Sequence, residues 1–189
     1  LKQLLHADMR KENLLAIKLL LVNAVRSDEL FNARWEHFDF EKNVWSVPSS
    51  KTGPGIQIPL TTQVRQWLLE LKSMSGDSAF ILPARSESRR TRFVDDDGPI
   101  SKDTIRSAID YWLETADPTP SIRRFTPHDL RSTAKSHMRA LGIPRDITEM
   151  CLNHKLQGVE GIYDVHTYFE ERKDALTRWN NYLVSLEGA

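Results

Sequence analysis

The chain has 189 residues, 40% of them hydrophobic, and its 26 Lys and Arg residues balance 26 Asp and Glu residues. These proportions are typical of a one-domain globular protein and exclude a disordered, collagenous or low-complexity chain. A single cysteine, Cys151, excludes an internal disulfide and a cysteine-cluster metal site, which fits a reducing compartment. The longest apolar run, around 19–22, is too short to span a membrane. Because the chain begins with Leu1 and has no leader pattern, we expect a piece of a longer protein.

Charge is distributed unevenly along the chain, although the net charge is zero. Zero net charge alone argues against a nucleic-acid partner, because phosphate contacts depend on Lys and Arg. A basic block nevertheless precedes the acidic run 95–97, and every charged residue from 131 to 145 is basic. The two basic sets are Arg85, Arg89, Arg90 and Arg92, and Arg131, Lys135, Arg139 and Arg145. This segregation permits a basic face on a neutral molecule.

The first part of the chain predicts two helices followed by a small sheet. A mostly buried helix over 14–22 is expected to end near Asn23, because Asn tolerates the left-handed conformation. A second helix follows at once, with Ser27 as its N-cap. Three alternating stretches, joined by two turn-prone links, then predict a three-stranded antiparallel meander. The stretches are 37–40, 44–47 and 56–60, and the links are 41–43 and 51–55.

The rest of the chain predicts helices with one long interruption. The expected helices run from Thr61 or Thr62 to Lys72, from Lys102 to Thr115 with Ser101 as cap, from Pro127 to Ala140, from Pro144 to Leu152, and from Tyr168 to Leu186. The last of these is an amphipathic closing helix. The segment 73–99, rich in Ser, Arg, Asp and Pro, is predicted to be a surface loop. The predicted fold is therefore α+β and mainly helical, a single domain over 1–189 with a small three-stranded antiparallel sheet near its N-terminal third.

Three short fragments contain side chains suited to chemistry, and each also has a structural interpretation. Arg26 precedes Glu29 by three positions, which is an ordinary spacing for a local ion pair. Lys51 falls in the turn between two predicted strands, where lysines are usually solvated. Tyr163 follows His154 by nine residues, and a lone tyrosine is most often a packed aromatic residue. Taken singly, none of these fragments indicates a site.

A fourth fragment forms a basic stripe on one predicted helix. His128 and Arg131 are three residues apart and share a face, which Lys135 and Arg139 extend by successive turns. Such a stripe is also typical of the solvated side of an amphipathic helix. His128, however, falls in the first helical turn, where backbone N–H groups point outward and favour an anion.

The combined set points to phosphodiester chemistry. It contains two Arg, two His, one Lys and one Tyr, and no acid cluster for a metal accompanies it. A guanidinium matches two nonbridging phosphate oxygens and stays charged at any working pH. Fixed cations aimed at a five-coordinate phosphorus stabilise the transition state more than the ground state. We therefore expect neither a metal nor another cofactor.

The same residues, taken in chain order, resemble the signature of the tyrosine recombinases, the phage integrase family. The matching residues are Arg26 with 27–30 and Trp35, Lys51 with 52–53, 128–131, Asn153 with His154, and Tyr163. The residues from Tyr163 to Leu183 are similar to the end of prophage integrases of the P4 type. The resemblance covers nearly the whole chain, and its ordered spacing would be hard to meet by chance.

The resemblance implies covalent catalysis by a tyrosine. Tyr163 would attack the scissile phosphate and leave a 3'-phosphotyrosyl enzyme and a free 5'-hydroxyl. Lys51 would protonate the departing 5'-oxygen, a role that suits an amine better than a guanidinium. Because the exchange conserves the phosphodiester energy, no ATP is expected.

The other signature residues would surround the phosphate. Arg26 and Arg131 would clamp its nonbridging oxygens, and His154 would donate a hydrogen bond to it. His128 would accept the proton of the nucleophile or bind the phosphate as well. Glu29 would orient its neighbours without touching the substrate.

The chain departs from the family pattern in three ways. Asn153 stands where many relatives carry Gly before the second histidine, and we expect it to adopt a similar backbone less freely. Asn23 is expected to replace the glycine that relatives carry in the turn before Arg26. We expect the family's N-terminal DNA-clamping domain to lie outside this sequence, and the chain alone to bind DNA weakly and to recombine poorly or not at all.

The resemblance also implies partners and a location. Double-stranded DNA is the expected partner, with Lys135, Arg139, Arg85, Arg89, Arg90 and Arg92 as candidate contacts. Self-association into a tetramer on DNA through the closing helix is expected, together with directionality or host DNA-bending proteins. The implied location is the bacterial cytoplasm, at the nucleoid and without a membrane.

Three other functions remain open from the sequence. A catalytically inactive DNA-binding module or regulator on the same fold would bind duplex DNA and form no adduct. A type IB topoisomerase shares the mechanism but relaxes supercoils without site preference. A metal-dependent nuclease would need clustered carboxylates, and 95–97 is the only candidate. The closing helix likewise has two interpretations, since it can pack on the chain's own core or on a neighbouring subunit.

Overall fold

The computed structural model describes residues 1–49, 55–116, 118–154 and 167–188. The helices within these ranges are α1 (Lys2–Leu5), α2 (Lys11–Asn23), α3 (Ser27–Phe31), α4 (Thr62–Ser75), α5 (Glu87–Arg90), α6 (Lys102–Thr115), α7 (Pro127–Ala140), α8 (Arg145–Cys151) and α9 (Phe169–Glu187). The strands are β1 (Phe38–Asp39), β2 (Val44–Val47) and β3 (Ile56–Pro59).

None of the helices in the described part of the chain has the length and apolar character needed to cross a bilayer. The predicted α+β, mainly helical fold class is confirmed. Lys51 and Tyr163 lie outside the described residues.

Helix α2 is the centre of the core because almost all of its surface is apolar. Every residue from Leu15 to Asn23 is buried, and α4, α6, α7 and α9 pack around the helix. Lys18 is buried as well, and its ammonium pairs with the carboxylate of Glu187 at the end of α9. The same ammonium lies 5.5 Å from the centre of the Trp67 ring. The one charge on the buried stretch of α2 is therefore compensated within the core.

At the junction between α2 and α3, the left-handed residue and the N-cap each differ by one position from the predicted residue. Helix α2 ends at Asn23 as expected, but the left-handed residue is Ala24, with φ = 51° and ψ = 28°. Asn23 stays helical, and its side-chain Nδ2 donates to the carbonyl of Leu19 at 3.0 Å. The N-cap of α3 is Arg26, so the predictions of Asn23 as the turning residue and of Ser27 as the cap are wrong.

The sheet is the antiparallel meander that the alternating pattern predicted, in the order β1-β2-β3. Trp45 of β2 pairs with Phe38 of β1 and with Ile58 of β3, and all three residues are buried. The next residue, Ser46, is exposed. Because side chains alternate between the two faces, this register places one face of the sheet on the core. The first strand is shorter than predicted, since Trp35–His37 forms a 3-10 turn before it.

The segment 73–99, predicted to be a surface loop, is partly core, and that prediction is wrong for its first half. Helix α4 continues to Ser75, and residues 80–82 are buried. The amide of Ile81 donates to the carbonyl of Ala33 at 3.1 Å, which fastens the segment beside the end of α3. An apolar run of three residues is too short to show a period, so the polar composition around it concealed it.

Helix α9 covers the core with its apolar face. Leu176, Trp179 and Leu183 are buried, and the indole N–H of Trp179 donates to the carbonyl of Leu21 in α2 at 3.0 Å. Of the two interpretations of the closing helix, the structure has its apolar face on the chain's own core.

We expect Trp179→Ala to lower the free energy of unfolding by about 3 to 5 kcal/mol, because it removes a large buried side chain and leaves a cavity. Urea unfolding followed by circular dichroism measures the change. Val184→Ala, at a 36% exposed position of the same helix, is the matched control. It should change the free energy by less than about 0.5 kcal/mol. Equal effects of the two substitutions would contradict the packing of α9 on this core.

Candidate active site

The guanidinium of Arg131 lies where three segments of the chain meet. Helix α7 carries this side chain into the interior, where the residue is only 4% exposed. Its Nη1 donates to the carbonyl of Ala24 at 2.5 Å, and its Nη2 donates to the carbonyl of Leu152. Ala24 follows α2, and Leu152 follows α8. One buried side chain therefore joins the turn before Arg26 to the turn before His154.

Arg26 is held at the start of α3 by Glu29. The Glu29 carboxylate accepts a hydrogen bond from the Arg26 backbone amide at 2.7 Å and another from its Nη1 at 2.9 Å. An acid in the first turn also suits the positive end of the helix dipole. The local ion pair expected from the spacing is thus present. The Arg26 side chain makes no other hydrogen bond to a residue that the structure describes, and it is 26% exposed.

The two arginines act on each other electrostatically. Burial is the main cause that lowers the pKa of Arg131 to about 10, and the positive charge of Arg26 adds to this lowering. The carboxylates of Glu29 and Glu149 act in the opposite direction. Two neighbouring guanidinium groups repel each other, and an anion bound between them relieves that repulsion. The pair therefore favours an anion with several acceptor oxygens, such as a phosphate.

A carboxylate that the sequence analysis missed links α7 and α8 to His154. Glu149 Oε1 accepts from Lys135 Nζ at 2.5 Å, and Glu149 Oε2 lies 2.6 Å from His154 Nδ1. Burial alone would raise the pKa of Glu149, but the hydrogen bonds from Lys135 and His154 outweigh it, so this pKa lies below its ordinary value. Glu149 is therefore ionised at neutral pH. No motif or period relates 135, 149 and 154, because the contact arises only when α7 packs on α8.

The two histidines lie at helix ends. His128 is exposed in the first turn of α7, one turn before Arg131. His154 follows α8, and its amide donates to the backbone carbonyl of Glu149 at 3.0 Å. Asn153 has φ = 51°, so it adopts the left-handed backbone that was expected of it in place of glycine.

Three of the predicted site residues that the structure describes are linked through a few contacts. Arg131 bonds to the segments beside Arg26 and His154, and its charge is influenced by Arg26 and by Glu149, which contacts His154. His128 lies on α7 three residues before Arg131, and its side chain makes no hydrogen bond to a described residue. Lys51 and Tyr163 are not described, so their placement stays a prediction.

A second buried arginine, which the sequence analysis also missed, joins α9 to the sheet. Arg172 is 3% exposed, and its Nη1 donates to the carbonyl of Gln57 in β3 at 2.7 Å. Its Nε donates to the carbonyl of Thr167 at 3.2 Å. Burial lowers the pKa of Arg172. In the sequence, Arg172 stands among other charged residues at 170–174. Such a run is typical of a solvated helix face, so it gave no sign that this arginine is buried.

Two of the candidate DNA-contact arginines are anchored to the protein. Arg85 Nη2 donates to Asn13 Oδ1 at 2.7 Å, near the start of α2. Arg89 donates from Nε to the carbonyl of Pro99 at 2.8 Å and from Nη2 to the carbonyl of Ile100 at 3.1 Å. Both side chains thus stabilise the segment that carries them.

Of the other four candidate DNA-contact residues, two are bonded to the protein and two are not. Lys135 is paired with Glu149, and Arg139 Nη1 donates to the carbonyl of Ile143 at 2.6 Å. Arg90 and Arg92 are exposed, and their side chains make no hydrogen bond or ion pair to a described residue. Among these candidates, the last two are therefore the side chains free to meet an external phosphate.

The acidic run 95–97 does not form a carboxylate cluster. Asp97 accepts from Ser78 Oγ at 2.6 Å and from the amide of Ala79 at 2.8 Å, so it fastens its own loop. Over the described ranges, no group of three or more His, Cys, Asp or Glu side chains is arranged to hold a metal ion.

We expect Asp129→Asn to destabilise the protein in a pH-dependent way. The Asp129 carboxylate accepts from the amide and the hydroxyl of Thr126, each at 2.8 Å, and these bonds lower its pKa below 3.8. Because the folded pKa lies below the unfolded one, the stabilisation is present above pH 3.8 and is lost as pH falls through the folded pKa. Asp129→Asn should cost about 1 kcal/mol at neutral pH, and this difference should shrink in acid.

Urea unfolding at neutral pH and below pH 3.8 measures this difference. Asp146→Asn is the matched control, because Asp146 is an exposed acid in the first turn of α8 whose side chain makes no hydrogen bond to a described residue. A cost of Asp129→Asn that is the same at both pH values would contradict the role of the carboxylate as a cap.

Comparisons with known proteins point to one family. The sequence profile of the phage integrase family matches residues 1–170. The integrase of Enterobacteria phage P4 is 27% identical over 187 residues, which cover 89% of this chain and 39% of that protein. Prophage integrase IntZ of Escherichia coli strain K12 is 29% identical over 176 residues, with 90% and 39% covered. The chain thus spans about two fifths of the length of these curated relatives.

Solved structures share the fold at low sequence identity. The integrase of mycobacterium phage Brujita superposes with a TM-score of 0.69 and 15% identity over 94% of this chain and 54% of that one. The lambda integrase catalytic core gives a TM-score of 0.60 and 21% identity over 81% of this chain and 88% of that one. Since the family profile matches nearly the whole chain and these structures share its fold, the chain belongs to the phage integrase family.

Proposed function

We propose that this chain is the catalytic part of a site-specific DNA recombinase that integrates or excises a prophage or genomic island. It would cleave and rejoin DNA strands through a 3'-phosphotyrosyl intermediate. The observation that carries the proposal is the buried guanidinium of Arg131, which joins the segments bearing Arg26 and His154. The names of the relatives, which are integrases of phages and prophages, support the same reaction class.

The two arginines would clamp the scissile phosphate. A guanidinium has five N–H donors, and Arg131 uses one from each of its Nη atoms for the backbone. The remaining donors of Arg131 and Arg26 suit the nonbridging oxygens. Because the carbonyls and Glu29 already hold both groups, little reorganisation is needed when negative charge develops on phosphorus.

The covalent step would exchange one phosphodiester for another. The Tyr163 oxygen attacks phosphorus, the bond from phosphorus to the 5'-oxygen breaks, and Lys51 gives that oxygen a proton. At pH 7 only about one phenol in a thousand is ionised, so His128 would accept the Tyr163 proton and the nearby cations would stabilise the phenolate. The 5'-hydroxyl of another strand reverses the step onto a new partner, which completes strand exchange.

Duplex DNA would be the macromolecular partner, and subunits would associate on it. Since the apolar face of α9 is buried on the chain's own core, contacts between subunits through this helix would use its exposed face, which includes Val184. A bacterial DNA substrate implies action in the cytoplasm, at the nucleoid. Directionality or host DNA-bending proteins belong to the same proposal.

Tyr163→Phe should abolish a covalent protein–DNA adduct that the unchanged chain forms, because the ring is kept while the nucleophilic oxygen is lost. A library of nicked suicide duplexes traps the adduct, and a denaturing gel displays it. Formation should continue in EDTA. Tyr182→Phe, on α9, is the matched control and should retain the adduct.

An adduct that persists in Tyr163→Phe would disprove the nucleophile assignment. If the unchanged chain binds duplex DNA and never forms an adduct, the inactive DNA-binding module is the better description. Relaxation of supercoiled plasmid without site preference would instead indicate a topoisomerase.

Arg90→Ala and Arg92→Ala, made singly, should each weaken DNA binding and reduce the slope of log affinity against log salt by about 1. Each loses one exposed cation that has no described protein partner. Arg85→Ala should leave the slope unchanged, because Arg85 is bonded to Asn13 near the N-terminus of α2. The candidate site lies at the other end of this helix, beside Ala24. Lys11→Ala, in the same first turn of α2, is the control for charge. Equal slopes in all four variants would exclude the α5 region as a DNA contact.

A further inference from the structure

Glu149 holds two groups of the candidate site from a short helix that carries none of the predicted catalytic residues. Its side chain is 18% exposed, and both carboxylate oxygens are engaged. Oε1 accepts from Lys135 Nζ at 2.5 Å, and Oε2 lies 2.6 Å from His154 Nδ1. The carboxylate therefore stands between α7 and the residue that follows α8.

The backbone around Glu149 is fixed by packing on the core. Thr148 and Cys151, on the inner face of α8, are buried, and α8 packs on α7 and α9. The amide of His154 donates to the backbone carbonyl of Glu149 at 3.0 Å. Both the main chain and the side chain of residue 149 thus constrain His154.

The short contact determines which ring nitrogen of His154 carries a proton. An ionised carboxylate accepts hydrogen bonds and has none to donate, so His154 Nδ1 must be the donor. The other ring nitrogen, Nε2, is then the atom left for a ligand. In the imidazolium form this nitrogen donates a hydrogen bond.

We propose that Glu149 is a positioning residue for His154. The Glu149 carboxylate fixes the ring and the proton on Nδ1, so that Nε2, which donates when the ring is protonated, faces the scissile phosphate. The inference rests on the proposed recombinase function for the phosphate contact, but the tautomer itself does not depend on it. Lys135 completes the arrangement by occupying the second carboxylate oxygen. In this proposal, Lys135 pairs with Glu149 and does not contact DNA.

A purely structural role for Glu149 makes a different prediction. If the carboxylate only cross-links α7 and α8 through Lys135, then removing either partner should have the same consequence. If it positions His154, then Glu149→Ala should change the imidazole and Lys135→Ala should not. The two substitutions therefore form a matched pair that breaks the same ion pair.

Nuclear magnetic resonance of the ring nitrogens separates these roles without any activity. In the 15N-labelled chain, at a pH where the His154 ring is neutral, the unchanged protein should show the proton on Nδ1. Lys135→Ala should keep this pattern, whereas Glu149→Ala should lose it. His154→Ala assigns the signals among the six histidines. The same tautomer in all variants would overturn the inference, and so would its loss in both Lys135→Ala and Glu149→Ala.

The rate of adduct formation at saturating suicide duplex tests the consequence for chemistry. His154→Ala should slow the step by about 100- to 1000-fold, the usual loss for one donor to a developing oxyanion. Glu149→Ala should slow it on the order of 10- to 100-fold, as for other residues that orient a histidine. Adding Glu149→Ala to His154→Ala should have no further effect, because Glu149 acts through His154.

Multiplicative losses in the double variant would overturn the positioning role, since Glu149 would then act by another route. A thermal melt of each variant shows whether it folds, and Glu149→Gln replaces Glu149→Ala in both measurements if the alanine variant unfolds. If the unchanged chain forms no adduct, the proposed function fails, and the tautomer measurement still decides whether Glu149 positions His154.

Discussion

A buried positive charge that bonds to the backbone of distant segments is the constraint on which the site depends. Removing the Arg131 guanidinium from water costs several kcal/mol, and its lowered pKa of about 10 reflects that cost. The carbonyls of Ala24 and Leu152 offset it by accepting its N–H groups. Loss of the guanidinium would leave both carbonyls without this donor. Stability of the core and geometry of the candidate phosphate site therefore depend on the same side chain.

The acids of the site explain how a chain with zero net charge can present cations to a phosphate. Glu29 holds Arg26, and Glu149 holds Lys135 and contacts His154. Each acid is less exposed than the cation it pairs with, since the Glu29 side chain is 10% and the Glu149 side chain 18% exposed, and it balances the charge of that cation. A net charge summed over the sequence counts these acids against nucleic-acid binding, whereas in the structure they hold the cations that the proposed function requires.

The parts of the fold that follow from local rules were predictable, and the misses come from long-range packing. Helix α7 and the meander have clear periods and caps, so their bounds agree with the sequence to within a few residues. At the end of α2, propensity favoured Asn23, but the left-handed position is fully buried and Ala24 fills it. Residues 80–82 are an apolar run hidden in polar surroundings. Glu149 gave no signal because its partners come from another helix and from beyond its own helix end.

A second buried arginine, Arg172, repeats this arrangement elsewhere in the described part of the chain. Arg172 donates to the carbonyl of Gln57, in β3, and to that of Thr167, in the described segment that begins four residues after Tyr163. It therefore joins β3 to the start of α9, as Arg131 joins the turn before Arg26 to the turn before His154. Each guanidinium bonds to main-chain carbonyls. It therefore fixes the position of the segments it contacts, and this effect does not depend on the side chains of those segments. Two buried cations thus fix, through the main chain, described segments that lie far apart in the sequence.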